Sequence, residues 1–136
     1  MTPHLPPALA IEANRPVLAH VENLSAHSDI VDLLRTAVKP LGDVQLFCPD
    51  WPAYRYVVAS TKGVIFGLAV GLDTVAFRLD AQMKSRALLT GGVAYGDCGE
   101  EWVAVVHHQA DSDWPAVDVR FWAQKAYVHA RSRADQ

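Results

Sequence analysis

The ten residues Gly63–Leu72, GVIFGLAVGL, constrain this chain more than any other segment. They carry no charge and place glycines at every fourth position. A helix across them would lose about 1 kcal/mol at each glycine relative to alanine. A membrane helix would need roughly 20 apolar residues, and Lys62 and Asp73 bracket this run after ten. A β-strand is the economical solution. Read with a period of two, Val64, Phe66, Leu68, Val70 and Leu72 form one bulky apolar face. Gly63, Ile65, Gly67, Ala69 and Gly71 form the other, which is small except at Ile65. Such a strand buries its bulky face and admits a helix, a partner or a ligand closely on the bare one.

The next segment extends this strand into a hairpin, because Val75, Phe77 and Leu79 alternate with Thr74, Ala76 and Arg78. An even-length loop around Leu72–Asp73 sets Leu68 against Phe77, Phe66 against Leu79 and Gly67 against Arg78. A one-residue slip would put bulky residues opposite small ones, so the pattern favours this register. Arg78 is then expected to emerge over bare backbone at Gly67. There its guanidinium could grip a carboxylate, a small anion or a helix C-terminus. Arg78 and Gly67 are therefore the candidate contacts for a ligand or partner. The competing expectation for Arg78 is an ion pair with Glu100 or Glu101.

Residues 1–27 read as a partly irregular arm, since positions 1–16 hold four of the eight prolines and show no periodicity. Residues 28–136 read as one α+β domain. Ser28 is the expected N-cap of a helix ending at Pro40, with Ile30, Leu33, Leu34, Ala37 and Leu41 as its core stripe. Val44–Phe47 and Tyr54–Ser60 follow as strands, and Thr61-Lys62-Gly63 supplies a short hairpin turn. Asp80 caps a short helix over Ala81–Leu89, and Glu101–His108 alternates as a strand covered on both faces. Asp113-Trp114-Pro115 opens a long final helix. The expected architecture is an antiparallel sheet of four or five strands packed against the first and last helices. Its core should include Leu33, Leu34, Phe66, Leu68, Phe77, Leu79, Trp102 and Trp122.

The final helix carries two apolar stripes. Val119, Trp122, Ala123, Ala126 and Ala130 share one side, while Val117, Phe121 and Val128 lie nearly opposite. The first stripe suits the sheet. The second must meet the N-terminal arm, the first helix or another molecule, and a symmetric dimer through Val117, Phe121 and Val128 is expected.

The net charge of −3 argues against an overall nucleic-acid-binding field, although Arg78, Lys84 and Arg86 cluster locally. No secretory leader is recognisable at the start, and Cys48 and Cys98 are too few for a disulfide framework. A cytoplasmic setting with free thiols and no membrane association is expected. His107 and His108 would point to opposite faces of a strand, which disfavours a shared metal with Asp111 or Asp113. Asp97, Glu100 and Glu101 lack ligand spacing. Trp51, Tyr54 and Tyr56 are the aromatics available for stacking on single strands, but such residues are more often buried. No phosphate loop or nucleophile elbow occurs, so no cofactor and no catalytic residues are expected.

The segments LLRTAVKPLGDV (33–44), GVIFGLAVG (63–71), VAFRLD (75–80), GEEWVAVV (99–106) and FWAQKAYVHAR (121–131) stand in an order that carries a likeness. Together they resemble the N-terminal domain of the TfoX competence-regulator family and, more distantly, MmcQ/YjbR-like proteins. CPDWPAYRY stands where that family carries a Met-Phe-Gly-Gly-like segment. The resemblance implies a helix, a glycine-containing hairpin, a small helix, a further strand and a closing helix. It also implies a regulatory or protein-interaction module without catalytic residues. A small-anion or metabolite site near Arg78, or a nucleic-acid interface, are the alternatives left open.

Overall fold

The computed structural model describes residues 6–22, 24–49, 56–107 and 116–134. Two 3-10 turns, Pro7–Leu9 and Glu12–Asn14, lead into helix α1 (Arg15–Val21) and then α2 (Ser28–Val38). Strands β1 (Gln45–Phe47), β2 (Val57–Thr61), β3 (Val64–Val70) and β4 (Thr74–Arg78) follow. Helix α3 (Ala81–Leu89), β5 (Val93–Ala94), β6 (Trp102–His107) and α4 (Ala116–Ala134) complete the order. The strands form one antiparallel sheet in the order β1-β2-β3-β4-β6-β5. The α+β architecture thus stands, with six strands rather than four or five. The two-residue β5 is too short to leave a periodic signature in the sequence.

The turn between β2 and β3 holds Lys62 at φ 50° and Gly63 at φ 82°, the two positive values that a tight twisted hairpin requires. A Cβ at Gly63 would also lie 2.7 Å from the Ala8 carbonyl oxygen, so glycine is required there twice over. The next hairpin departs from expectation. Its loop has three residues, Gly71 to Asp73, so Val70 pairs with Thr74, Leu68 with Ala76 and Gly67 with Phe77. Arg78 instead pairs with Trp102 of β6. An odd loop length moves the register by one, and each bulky side chain meets a small one.

A bulge explains why this register is tolerated. Ser60 pairs with Ile65 but Ala59 with Gly67, leaving Phe66 as an extra residue in β3. The phase of the strand changes there. Val64, Phe66 and Ala69 join one core cluster, while Ile65, Leu68 and Val70 join the other. The single bulky face expected for Gly63–Leu72 is therefore divided between two covered faces. Leu72, expected on the same face, lies in the loop and is 76% exposed.

The first cluster sits between the sheet and helices α2 and α4, where Leu34, Phe66, Phe77, Trp122, Ala123, Ala126 and Ala130 pack together. The second is closed by the N-terminal segment, whose Leu9, Val17 and Val21 cover Val58, Leu68, Ala76 and Trp102. Part of the expected arm is thus a packed layer. Asn14, fully buried, secures it by donating from Nδ2 to the carbonyls of Leu9 (2.9 Å) and Gly63 (2.7 Å). Its Oδ1 accepts from the Ile65 amide at 2.9 Å. Of the expected core, all but the partly buried Leu33 are buried. The cap of α2 is His27 rather than Ser28. His27 is extended, and its ring Nδ1 accepts from the Asp29 amide, while Ser28 is already helical. Asp80 caps α3 as expected, accepting from the Met83 amide at 2.8 Å.

Candidate functional site

Arg78 ends β4 on the sheet face that the N-terminal layer covers, opposite Trp102. It is 7% exposed. Its Nε donates to Glu101 Oε1 at 2.8 Å, and Nη1 donates to the Ala13 carbonyl at 3.1 Å. Glu101, just before β6, also accepts from His129 Nε2 at 2.8 Å and from Arg133 Nη1 at 3.1 Å. The two α4 residues stand one helical turn apart, which lets both reach one carboxylate. Glu101 therefore joins the N-terminal layer, the sheet and the closing helix. Burial pushes its carboxyl up, but hydrogen bonds from Arg78 and His129 and the charges of Arg78 and Arg133 outweigh this. The net effect holds it below the usual range.

The ion-pair expectation for Arg78 is met at Glu101, and the expected apposition with Gly67 is not. Gly67 faces the helical layer, where a Cβ would come within 3.1 Å of Phe77 Cε1 and 3.4 Å of Leu34 Cδ1. The phenyl ring occupies the space over the glycine. The two candidate residues thus belong to opposite faces of the sheet.

A cleft of about 400 Å³ adjoins Arg78, lined by Ala13, Pro16, Cys98, Gly99, Glu101 and Trp102 among others. Its chemistry is muted. Burial, then the neighbouring Asp97 charge, pushes the Cys98 thiol up to about 12, which keeps it protonated near neutrality. Burial, with Cys98 and Asp97, likewise pushes Tyr95 up to about 12. Its hydroxyl lies 2.8 Å from His20 Nε2. Arg78 has its Nε and Nη1 committed to protein acceptors. Among the described residues, no group of three or more His, Cys, Asp or Glu is placed to hold a metal ion. His108, Asp111 and Asp113 lie outside the described residues, as do Trp51 and Tyr54. Tyr56 is buried.

The Arg78–Lys84–Arg86 cluster is not one free basic face. Arg78 is spent on Glu101, and Lys84 Nζ donates to the Glu100 carbonyl. Arg86 instead lies 5.9 Å from the centroid of the Phe121 ring, and Lys125 approaches the same ring at 5.4 Å. This brings α3 beside the outer face of α4. A groove of about 300 Å³ runs there, bordered by Asp80 and Met83 on one side and Lys125, Val128 and His129 on the other.

The two stripes of α4 separate as expected. Val119, Trp122, Ala123, Ala126 and Ala130 are buried, whereas Phe121 is 37% and Val128 57% exposed. The Val117 side chain lies outside those described. Neither the N-terminal layer nor α2 covers Phe121 and Val128. The sequence offered no sign of Asn14, or of His129 and Arg133 meeting Glu101, because each contact joins residues far apart in the chain. Among the described residues, no helix is long and apolar enough to cross a membrane. Compared with protein-family models, curated proteins and solved structures, the chain matches none.

Proposed function

We propose that this chain is a non-enzymatic protein-interaction module that works through the outer face of α4. One observation carries the reading. Phe121 and Val128 are exposed on a helix whose other stripe is wholly buried, and Val128 borders a groove shared with α3. Exposed apolar side chains grouped along one helix face are the usual mark of a docking surface. The Arg78 cleft is a weaker candidate, because its cation and its carboxylate satisfy each other. A regulatory role of the TfoX-like kind belongs to the same proposal. Its support is the order from α2 through the glycine-containing hairpin, α3 and β6 to the closing α4.

The occupant favoured here is a different protein rather than a second copy. A twofold dimer would set each patch against itself, bringing the Arg86 and Lys125 cations of both copies into one seam. Like charges facing each other across a seam are costly.

A photo-crosslinking amino acid placed at Val128, in cells that express the chain, tests the proposal. A discrete crosslinked heterologous product is expected from Val128, lost when Phe121→Asp is added. A control probe at Leu72, exposed in the β3–β4 loop, should give none. Equal products from the two positions would refute the reading.

A further inference from the structure

Helices α3 and α4 together carry six of the twelve Lys and Arg residues and one of the fifteen Asp and Glu. A chain of net charge −3 therefore concentrates half of its cations on these two helices. Three of the six cations already have acceptors within the chain: Lys84 on Glu100, Arg131 on Asp43 and Thr61, and Arg133 on Glu101. Among the described residues, Arg86 and Lys125 meet no carboxylate and lie instead against the Phe121 ring. A cation held over an aromatic face keeps its charge while its position is fixed. The groove beside them is lined by Asp80, Met83, Lys125, Val128 and His129 among others, and Asp80 is already committed to capping α3.

We infer that the exposed face of α4, from Phe121 to Val128 and the groove beside it, takes an acidic amphipathic helix from a partner protein, with its apolar side chains on Phe121 and Val128 and its carboxylates on Arg86 and Lys125. The inference rests on the interface reading above and adds the chemistry of the occupant. The dimensions agree with it. From Phe121 to Ser132, α4 offers about 16 Å of length at 1.5 Å per residue, which matches a partner of three helical turns. Exposed apolar side chains one face wide with cations beside them suit a surface that accepts one face of an amphipathic helix. Nucleic acid fits less well. Its affinity grows with the number of phosphates neutralised, and half of the cations on these two helices are tied to acceptors in the chain itself.

A displayed library of random peptides of about sixteen residues, long enough for four helical turns, provides the test. Selection is made on the intact chain and in parallel on Phe121→Asp and on the Arg86→Glu/Lys125→Glu variant. The expected pool is net acidic, with apolar residues at three- and four-residue spacing, and is not recovered on Phe121→Asp. A synthetic peptide from that pool should bind the charge-reversed variant at least tenfold more weakly, with both variants still melting cooperatively as folded proteins. A neutral or basic pool that still depends on Phe121 would overturn the acidic partner and leave the interface standing. A pool recovered equally on Phe121→Asp, or no enrichment at all, would remove both. Binding of a mixed-sequence duplex more tightly than of the selected peptide would also overturn the inference.

Discussion

Glu101 is where side chains from the sheet and from the closing helix meet on one carboxylate. It accepts from Arg78, His129 and Arg133 and is itself only partly exposed. Glu101→Gln would keep the shape while leaving the nearly buried Arg78 guanidinium without a counter-charge. Breaking a fully buried pair costs roughly 3–5 kcal/mol. Water still reaches Glu101, so a loss of about 2–3 kcal/mol at neutral pH is expected, measurable by chemical denaturation. The pH dependence has a definite sign. A carboxyl held low in the folded state contributes stability above its ordinary value, 4.5, and loses it as pH falls through the lowered folded value. The wild type should therefore lose stability on acidification more steeply than Glu101→Gln, and equal acid profiles would refute the role assigned to this carboxylate. Arg78 was legible in the sequence as an unusual cation, with Glu101 among the acids it could pair with. The two contributions from α4 were not, because a side chain's reach across the fold leaves no periodicity.

At the scale of elements, the helices and most strands follow directly from local pattern. The two-stripe α4, the Asp80 cap and the Lys62-Gly63 turn each rest on neighbouring residues alone. Strand β3 was legible as a strand but not in phase. A bulge at Phe66 and a three-residue loop each shift alternation by one, and neither changes the composition of the segment. The N-terminal segment was the larger omission. Its prolines suggest irregularity, yet its 3-10 turns and α1 cover a sheet face through Leu9, Val17 and Val21. Asn14 is what fixes it there. Asn14→Ala would remove three hydrogen bonds and leave buried backbone groups of the β2–β3 hairpin without partners. Each such group costs about 1–3 kcal/mol, so a total of about 3 kcal/mol is expected. Hydrogen exchange should then report faster opening of residues 7–21 than of α2. Unchanged protection in that segment would show that apolar burial alone holds it.

The whole molecule is a sheet covered on both faces, and this bears on how it unfolds and on what it can meet. Phe77 lies at the centre of the helical side, fully buried over Gly67. Phe77→Ala should cost about 3–5 kcal/mol, and circular dichroism and tryptophan fluorescence should give one coincident transition, since Glu101 links the layers. Two separate transitions would mean that the faces fold independently. The charge distribution leads to the final expectation. Like charges at the α3–α4 face repel a second copy presented with the same patch, whereas Phe121 and Val128 attract it. Salt weakens the first effect, with screening over about 10 Å at 0.1 M, and leaves the second intact. Sedimentation velocity should therefore find a monomer at low ionic strength, with any self-association rising as salt is added and vanishing in Phe121→Asp. That substitution places a carboxylate between Arg86 and Lys125, which offsets part of the packing lost against Trp122, so the variant should stay folded at a cost of about 1–2 kcal/mol. A dimer that is strongest at low salt would mean that opposite charges meet across the seam, and these cations would then belong to self-recognition instead of to an acidic partner.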